Sequence, residues 1–364
     1  MNSRALVGRW LGSVATVGLA LLFAFSPFPT AESVERWFSL AWYPRLQHVL
    51  TPMSNTVPFA LLDLLALVAL IAVVVAITRA VRAARREHGL APIGRVVARL
   101  VTAAAGLYLV FLALWGLNYR RMPMQDRLVL DRTAPASADV VRLGLDAIAE
   151  LNALHGPAHA QGWGRDESND AALTRAFAAS QRLLSDAPPA VPGRLKRTLF
   201  GPYFRWTGVD GMVNPFGLEV LANPDLLPFE RPFVAAHEWS HLAGFADEAE
   251  ANFVGWLTCI RASRAAQYSG WLYLYWQISG EVSAADRAAL WEAVAPGPRA
   301  DVEAIIARVQ RGQLPPLRSA SWLVYDQYLK ANRVESGVRS YGAVVTLILR
   351  ARFDPGWVPV RRAS

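Results

Sequence analysis

The chain has 364 residues, of which 53% are hydrophobic and 18% charged, against about 25% charged in a typical soluble domain. Its net charge of +8 is confined to residues 1–121, where twelve arginines face four acids; the other 243 residues carry 25 basic and 25 acidic groups. That distribution excludes a basic face for nucleic acid, and the single cysteine, Cys259, excludes an internal disulfide framework or a cysteine-based zinc cluster.

Three stretches are apolar enough to cross a bilayer, which takes about 20 helical residues: Trp10–Phe28, Val57–Thr78 and Leu100–Leu117. Arg4 and Arg9 before a short apolar core also fit a signal peptide, but Pro27 and Pro29 stand where its small-residue cleavage site belongs. The first stretch is therefore read as an uncleaved span. The connection from Arg79 to Arg99 carries six arginines and one glutamate, whereas Thr30–Thr56 has two arginines and two glutamates. Arginine-rich short loops stay cytoplasmic. The expected topology is N-terminus in, three crossings of a bacterial inner membrane, and a large periplasmic domain from about Asn118. Arg120 and Arg121 oppose it but are outnumbered. Asp63, six residues into its span, is expected near the outer interface, since a carboxylate deep in lipid costs at least a few kcal/mol.

Residues 122–364 form the second unit, expected to be mainly α-helical with little strand. Val140, Val141, Leu143, Leu145, Ile148 and Leu151 recur at helical spacing behind a candidate cap, Ser137. Gly156, Pro157, Gly162 and Gly164 predict a loop over His155–Gly164, which would keep His155 and His159 from sharing a helical face. A helix over Asp170–Leu184 follows, then a Gly/Pro-rich aromatic region in which Gly217–Ala222 is a candidate edge strand. Further helices are expected over Phe233–Gly244, Asp247–Arg264, Arg287–Val294, Asp301–Val309, Ser321–Ala331 and Val338–Ala351. The aromatic run Trp271–Trp276 could be core, line a cleft or rest on the membrane surface.

His237-Glu238-Trp239-Ser240-His241 reads HExxH. Two imidazoles four apart on a helix share a face and can both bind Zn²⁺, and the adjacent Glu238 is placed to act as general base on water at the open position. A catalytic zinc site needs a third protein ligand. Beyond Gly244, a natural helix terminator, three acids compete: Asp247, Glu248 and Glu250. Asp247 has metzincin-like spacing but also suits an N-cap; Glu250 shares a face with Phe253, Val254 and Leu257. Glu248 precedes Asn252 by one turn, like the ExxxD pair of gluzincins, with Asn252 able to orient a ligand histidine from behind.

At these residues the chain resembles the bacterial membrane family known as domain of unknown function 3810. The resemblance rests on Gly116–Arg121, His237–Phe253, Tyr325–Lys330 and Gly337–Tyr341, which together run along nearly the whole chain. It implies a zincin-like metallohydrolase and names no substrate. The family's Pro-Phe-Thr-Gly-Glu-Ala-Asn stretch is altered here to Asn214–Val220, so it assigns no role to Glu219 or Asn223. The resulting expectation is a membrane-anchored zinc peptidase acting on a peptide or protein. Tyr328, Arg339 and Tyr341, polar residues in the family-like C-terminal segments, are candidates for the group that stabilises the oxyanion. The competing readings are a non-catalytic scaffold that retains the fold and a zinc amidase for cell-wall peptides.

Protease added to spheroplasts is expected to digest the domain after Asn118; digestion only after lysis of the inner membrane would reverse the topology.

Overall fold

The computed structural model describes residues 3–332 and 343–362. Helix α1 (Ser3–Phe25) is followed by α2 (Ala31–Ser33), a π-helical stretch (Val34–Trp42) and α3 (Tyr43–Asn55). Helices α4 (Leu61–Glu87) and α5 (Ala91–Leu114) form an apolar hairpin, and α6 (Met124–Arg127) leads into the main domain. That domain contains α7 (Ser137–Gln161), α8 (Ala171–Leu184), β1 (Leu195–Lys196), α9 (Gly201–Thr207), β2 (Gly211–Asn214) and β3 (Glu219–Ala222). The remaining elements are α10 (Arg231–Leu242), α11 (Glu248–Cys259), α12 (Arg264–Glu281), α13 (Ala284–Ala293), α14 (Pro296–Gly312), α15 (Pro315–Ala331), α16 (Ala343–Arg350), β4 (Phe353–Asp354) and β5 (Val358–Pro359). The chain is mainly helical, as its periodicity predicts.

Among the described residues, two helices are long and apolar enough to cross a membrane, α4 and α5, where three were expected. The apolar part of α1 is Trp10–Phe25. The helix itself ends at Phe25, before Ser26 and Pro27. Arg120 donates to the carbonyls of Phe23 and Phe28, while Arg121 makes a two-pronged ion pair with Glu35 at 2.7 and 3.0 Å. The two arginines that weighed against the topology are thus buried structural groups. Asp63 lies in the first turn of α4 and accepts from Thr198 Oγ1 (2.6 Å) and the Leu199 N–H (2.9 Å). It joins the hairpin to the domain, consistent with a place at the helix end.

Three local expectations are corrected. Helix α7 runs unbroken through Gly156 and Pro157 to Gln161. Pro157 sits on its exposed face beside exposed Ala153, whose freed carbonyl can bond water, while Leu154 and Ala158 bury the other face. Ser137 is the first helical residue, and Ala136 occupies the cap, its N–H bonded to Asp139 at 3.0 Å. The strand at Glu219–Ala222 is central in the order β1-β3-β2, parallel to β1 and antiparallel to β2, with all four residues buried. The edge is β2.

One large core unites helices α7, α8, α10, α11, α12 and α16 with the pre-hairpin segment: Val34, Phe38 and Tyr43 belong to the same cluster as Trp239, Trp256 and Tyr268. Tyr43 and Trp115, which flank the hairpin in sequence, donate to the carbonyls of Leu242 and His241 at 2.9 Å each. They satisfy the C-terminal end of α10. The aromatic run Trp271–Trp276 lies within α12, with Trp271, Leu272, Leu274 and Tyr275 buried in the core.

Buried Glu219 ties the sheet to the hairpin. Its carboxylate accepts from the Leu61 and Leu62 N–H groups at the start of α4 (3.0 and 2.8 Å), from Lys196 Nζ (2.8 Å) and from Asn214 (2.9 Å). An acid at a helix N-terminus satisfies free N–H groups and the helix dipole together. Burial opposes its ionisation, but Lys196 and these donors outweigh that and hold its pKa below 4.5. Glu219→Ala strands the buried Lys196 charge and is expected to cost about 3–5 kcal/mol, read from unfolding in detergent. Because the folded pKa is lowered, this contribution is complete above about pH 4.5 and fades as pH falls through the folded value. The wild type should therefore lose stability on acidification more steeply than Glu219→Gln.

Candidate metal centre

Helix α10 starts with Pro232 in its first turn, a position where the missing N–H costs nothing, and buries ten of its twelve residues. It stops at Gly244, whose φ of +84° favours glycine. The Gly244 N–H bonds to His241 O and the Phe245 N–H to Ser240 O, both at 3.0 Å, closing a Schellman turn. A Cβ on residue 244 would stand 2.9 Å from Asn118 Oδ1. The reversed chain then presents the Phe245 carbonyl to His241 Nδ1 at 2.8 Å. That bond makes Nδ1 the donor and leaves Nε2 free with its lone pair.

Asp247 caps the next helix, accepting from the N–H groups of Ala249 (2.9 Å) and Glu250 (3.2 Å). Glu248 is consequently the first residue of α11 and faces α10. Gly255 lets the two helices approach, since a Cβ there would lie 3.1 Å from the His237 backbone nitrogen. Glu248 Oε2 lies 3.5 Å from His237 Nε2 and 3.6 Å from His241 Nε2. Two donors bound to one tetrahedral zinc at about 2.1 Å stand roughly 3.4 Å apart. All three donor atoms lie within 4.8 Å of one another. The buried Glu248 Oε2 has no proper hydrogen bond, so the donor set and its spacing fit a divalent cation.

Without a metal the charges arrange themselves around Glu248. Burial alone would raise its pKa, but the adjacent His241 outweighs this and holds it at about 2. The same pairing overcomes burial at His241 and lifts it to about 9. His237 is pushed down to about 4, by burial first and by the neighbouring His241 charge second. Glu238 is raised to about 8 by burial, with the Glu248 charge adding to it. Glu238 lies under the start of β2: a Cβ on Gly211 would come within 2.4 Å of Glu238 Oε1. Its other oxygen is buried without a partner.

The three competing acids separate clearly. Glu250 turns away, accepting from the Met124 N–H at 2.5 Å with Arg127 at 3.7 Å, and Asp247 is the cap just described. Asn252, one turn after Glu248, interacts with His237 and favours its protonated form; the contact is loose, since His237 Nδ1 and Asn252 Nδ2 each lack a well-formed hydrogen bond. Tyr328 stacks on Tyr325 at 6.0 Å and meets Tyr119 edge-on at 5.9 Å. It is Tyr325, three residues earlier, that donates to Glu248 Oε1, at 2.5 Å. Arg339 and Tyr341 lie outside the described residues.

The sequence reading missed two tyrosines. Tyr325 was visible only as the first residue of a family-like segment. Tyr273 packs face-on against Phe233 at 3.5 Å, one turn before His237, and its buried hydroxyl has no hydrogen-bond partner. Burial and the Glu248 charge hold its pKa well above 10, so it remains a donor. Its place within a run of aromatic and leucine residues gave no periodic signal to distinguish it.

A family model described as "Protein of unknown function (DUF3810)" matches residues 38–349. No curated protein and no solved structure matches the chain.

Gly244→Ala forces a side chain into a positive φ and against Asn118, which should destabilise the protein by about 1–2 kcal/mol. If the cluster holds zinc, displacing the Phe245 carbonyl should also weaken its binding about 10–100-fold in chelator competition, the usual effect of losing a hydrogen bond behind a ligand histidine.

Proposed function

The chain belongs to the DUF3810 family, and we propose that it is a membrane-anchored, zinc-dependent hydrolase that cleaves peptide bonds. The observation that carries this reading is the convergence of His237 Nε2, His241 Nε2 and Glu248 Oε2 beside a buried Glu238. A scaffold would gain nothing from a carboxyl in that position, since burying one without a partner is costly.

His237, His241 and Glu248 are the residues that would hold Zn²⁺, leaving a vertex open. Bound there, zinc would supply a Lewis acid that polarises a carbonyl and acidifies water. Glu238 is the proposed general base: it adjoins His237 in the sequence, and one of its carboxylate oxygens is buried with no hydrogen-bond partner, placed to take a proton from water. Tyr325 holds Glu248 in place through its hydroxyl. Tyr273, a protonated donor with its hydroxyl unengaged, is the proposed partner for negative charge developing on the substrate oxygen.

The edge position of β2 supports a peptide substrate. An edge strand presents backbone groups to which an extended peptide can add. Gly211 of that strand touches Glu238, so a peptide laid along it would pass the general base. In this reading α4 and α5 cross the membrane with their arginine-rich turn in the cytoplasm, and the site faces the opposite side.

Metal analysis of purified protein is expected to show that His237→Ala lowers the zinc content by one ion per chain, whereas Glu238→Gln keeps it. Peptide cleavage should fall about 10²–10⁴-fold in Glu238→Gln. An unchanged zinc content in His237→Ala, or equal cleavage by wild type and Glu238→Gln, would end the hydrolase reading.

A further inference from the structure

Continuity of α7 through Pro157 has a chemical result: His155 and His159, one turn apart, lie side by side with ring centroids 4.3 Å apart. Across from them, Asp301 on α14 brings Oδ2 to 2.8 Å from His159 Nε2 and 3.6 Å from His155 Nε2. These separations bracket the roughly 3.4 Å expected between two donors on one tetrahedral zinc. All three donor atoms lie within 4.8 Å of one another, on elements that contribute nothing to the HExxH cluster. We propose that His155, His159 and Asp301 form a second site, for a zinc-class divalent cation.

The surroundings fit a ligand set better than a simple hydrogen bond. Tyr268, fully buried on α12, donates to Asp301 Oδ2 at 2.6 Å, the oxygen that faces the two histidines, and so fixes the carboxylate in place. Gly297 leaves room for the His155 ring, because a Cβ there would stand 2.5 Å from its Cε1. A hydrogen bond to Asp301 needs only His159; at 3.6 Å His155 is too far to share it, and two charged imidazoles this close would repel. A cation seated among the three uses both rings. Two imidazole nitrogens and one carboxylate suit zinc, nickel or copper over magnesium or calcium. The histidine side chains are 27% and 38% exposed, so an ion can enter from solvent and keep water on its open side. Once bound, it would clasp α14 to α7.

The test uses the full-length chain in detergent, stripped with chelator and re-equilibrated with Zn²⁺. In a His237→Ala/His241→Ala background the remaining site is expected to hold one zinc per chain. Adding His159→Gln or Asp301→Asn should remove it, along with the visible absorption of the Co²⁺ form. Zinc should raise the melting temperature of the background protein by several degrees and leave that of the His159→Gln protein unchanged. Equal metal-free melting temperatures establish that the variant folds. A background protein that binds no zinc, or zinc that survives His159→Gln and Asp301→Asn, overturns the proposal. The outcome is independent of the HExxH reading: if that reading alone fails, wild type holds one zinc, lost in His159→Gln and kept in His237→Ala.

Discussion

The turn at Gly244 is the constraint on which the site depends. Two buried helices must meet so that an acid on the second faces two histidines on the first, and the connection between them is only five residues long. A residue in the left-handed region reverses the chain at once. The Schellman bonds consume the last free groups of α10, and the same reversal points the Phe245 carbonyl at His241. Asp247 then restarts the helix, which makes Glu248 its first residue and aims it back at the histidines. Helix termination, ligand orientation and helix initiation are thus one local event.

That event is anchored from the membrane side. Trp115 at the end of α5 and Tyr43 at the start of α3 bond the terminal carbonyls of α10. Arg121 spans from Glu35 to the Gly244 carbonyl, the latter at 2.9 Å. Glu219 and Asp63 lock the start of α4 to the sheet and to the loop before α9. The hairpin and the domain therefore share buried charges and one hydrophobic core. Moving the hairpin would disturb groups at or next to His241, so the hairpin is part of the scaffold that positions the His237–His241–Glu248 cluster.

Patterns set by near neighbours were legible in the residues themselves. The HExxH spacing, the Asp247 cap and the helices expected over Asp170–Leu184 and Phe233–Gly244 follow from contacts within a turn or two, whereas the helix expected over Asp247–Arg264 ends at Cys259 and a separate helix starts at Arg264. Misreadings arose where burial overrode a local preference. Pro157 breaks helices in general, but on the solvent face of a helix packed through Leu154 and Ala158 it does not. The Gly217–Ala222 run looked like an edge because it is short, yet β2 pairs with one side of it through a tight hairpin and β1 reaches its other side from more than twenty residues earlier. The first apolar stretch was expected to run to Phe28, but the helix ends at Phe25, before Ser26 and Pro27.

Sequence alone determined that two histidines share one helical face, since residues four apart at a 3.6-residue period lie nearly above one another, with a carboxylate next to the first. It also determined that apolar helices with an arginine-rich turn precede a mainly helical domain. Only the tertiary structure decided that Glu248 and not Glu250 faces those histidines, because that depends on how α11 is rotated after the Gly244 turn. It likewise brought Tyr273, Tyr325 and Gly211 to the cluster, and Asp301 to His155 and His159. Each of these contacts joins residues on different elements, and packing of the shared core, which no local pattern encodes, is what sets their distance.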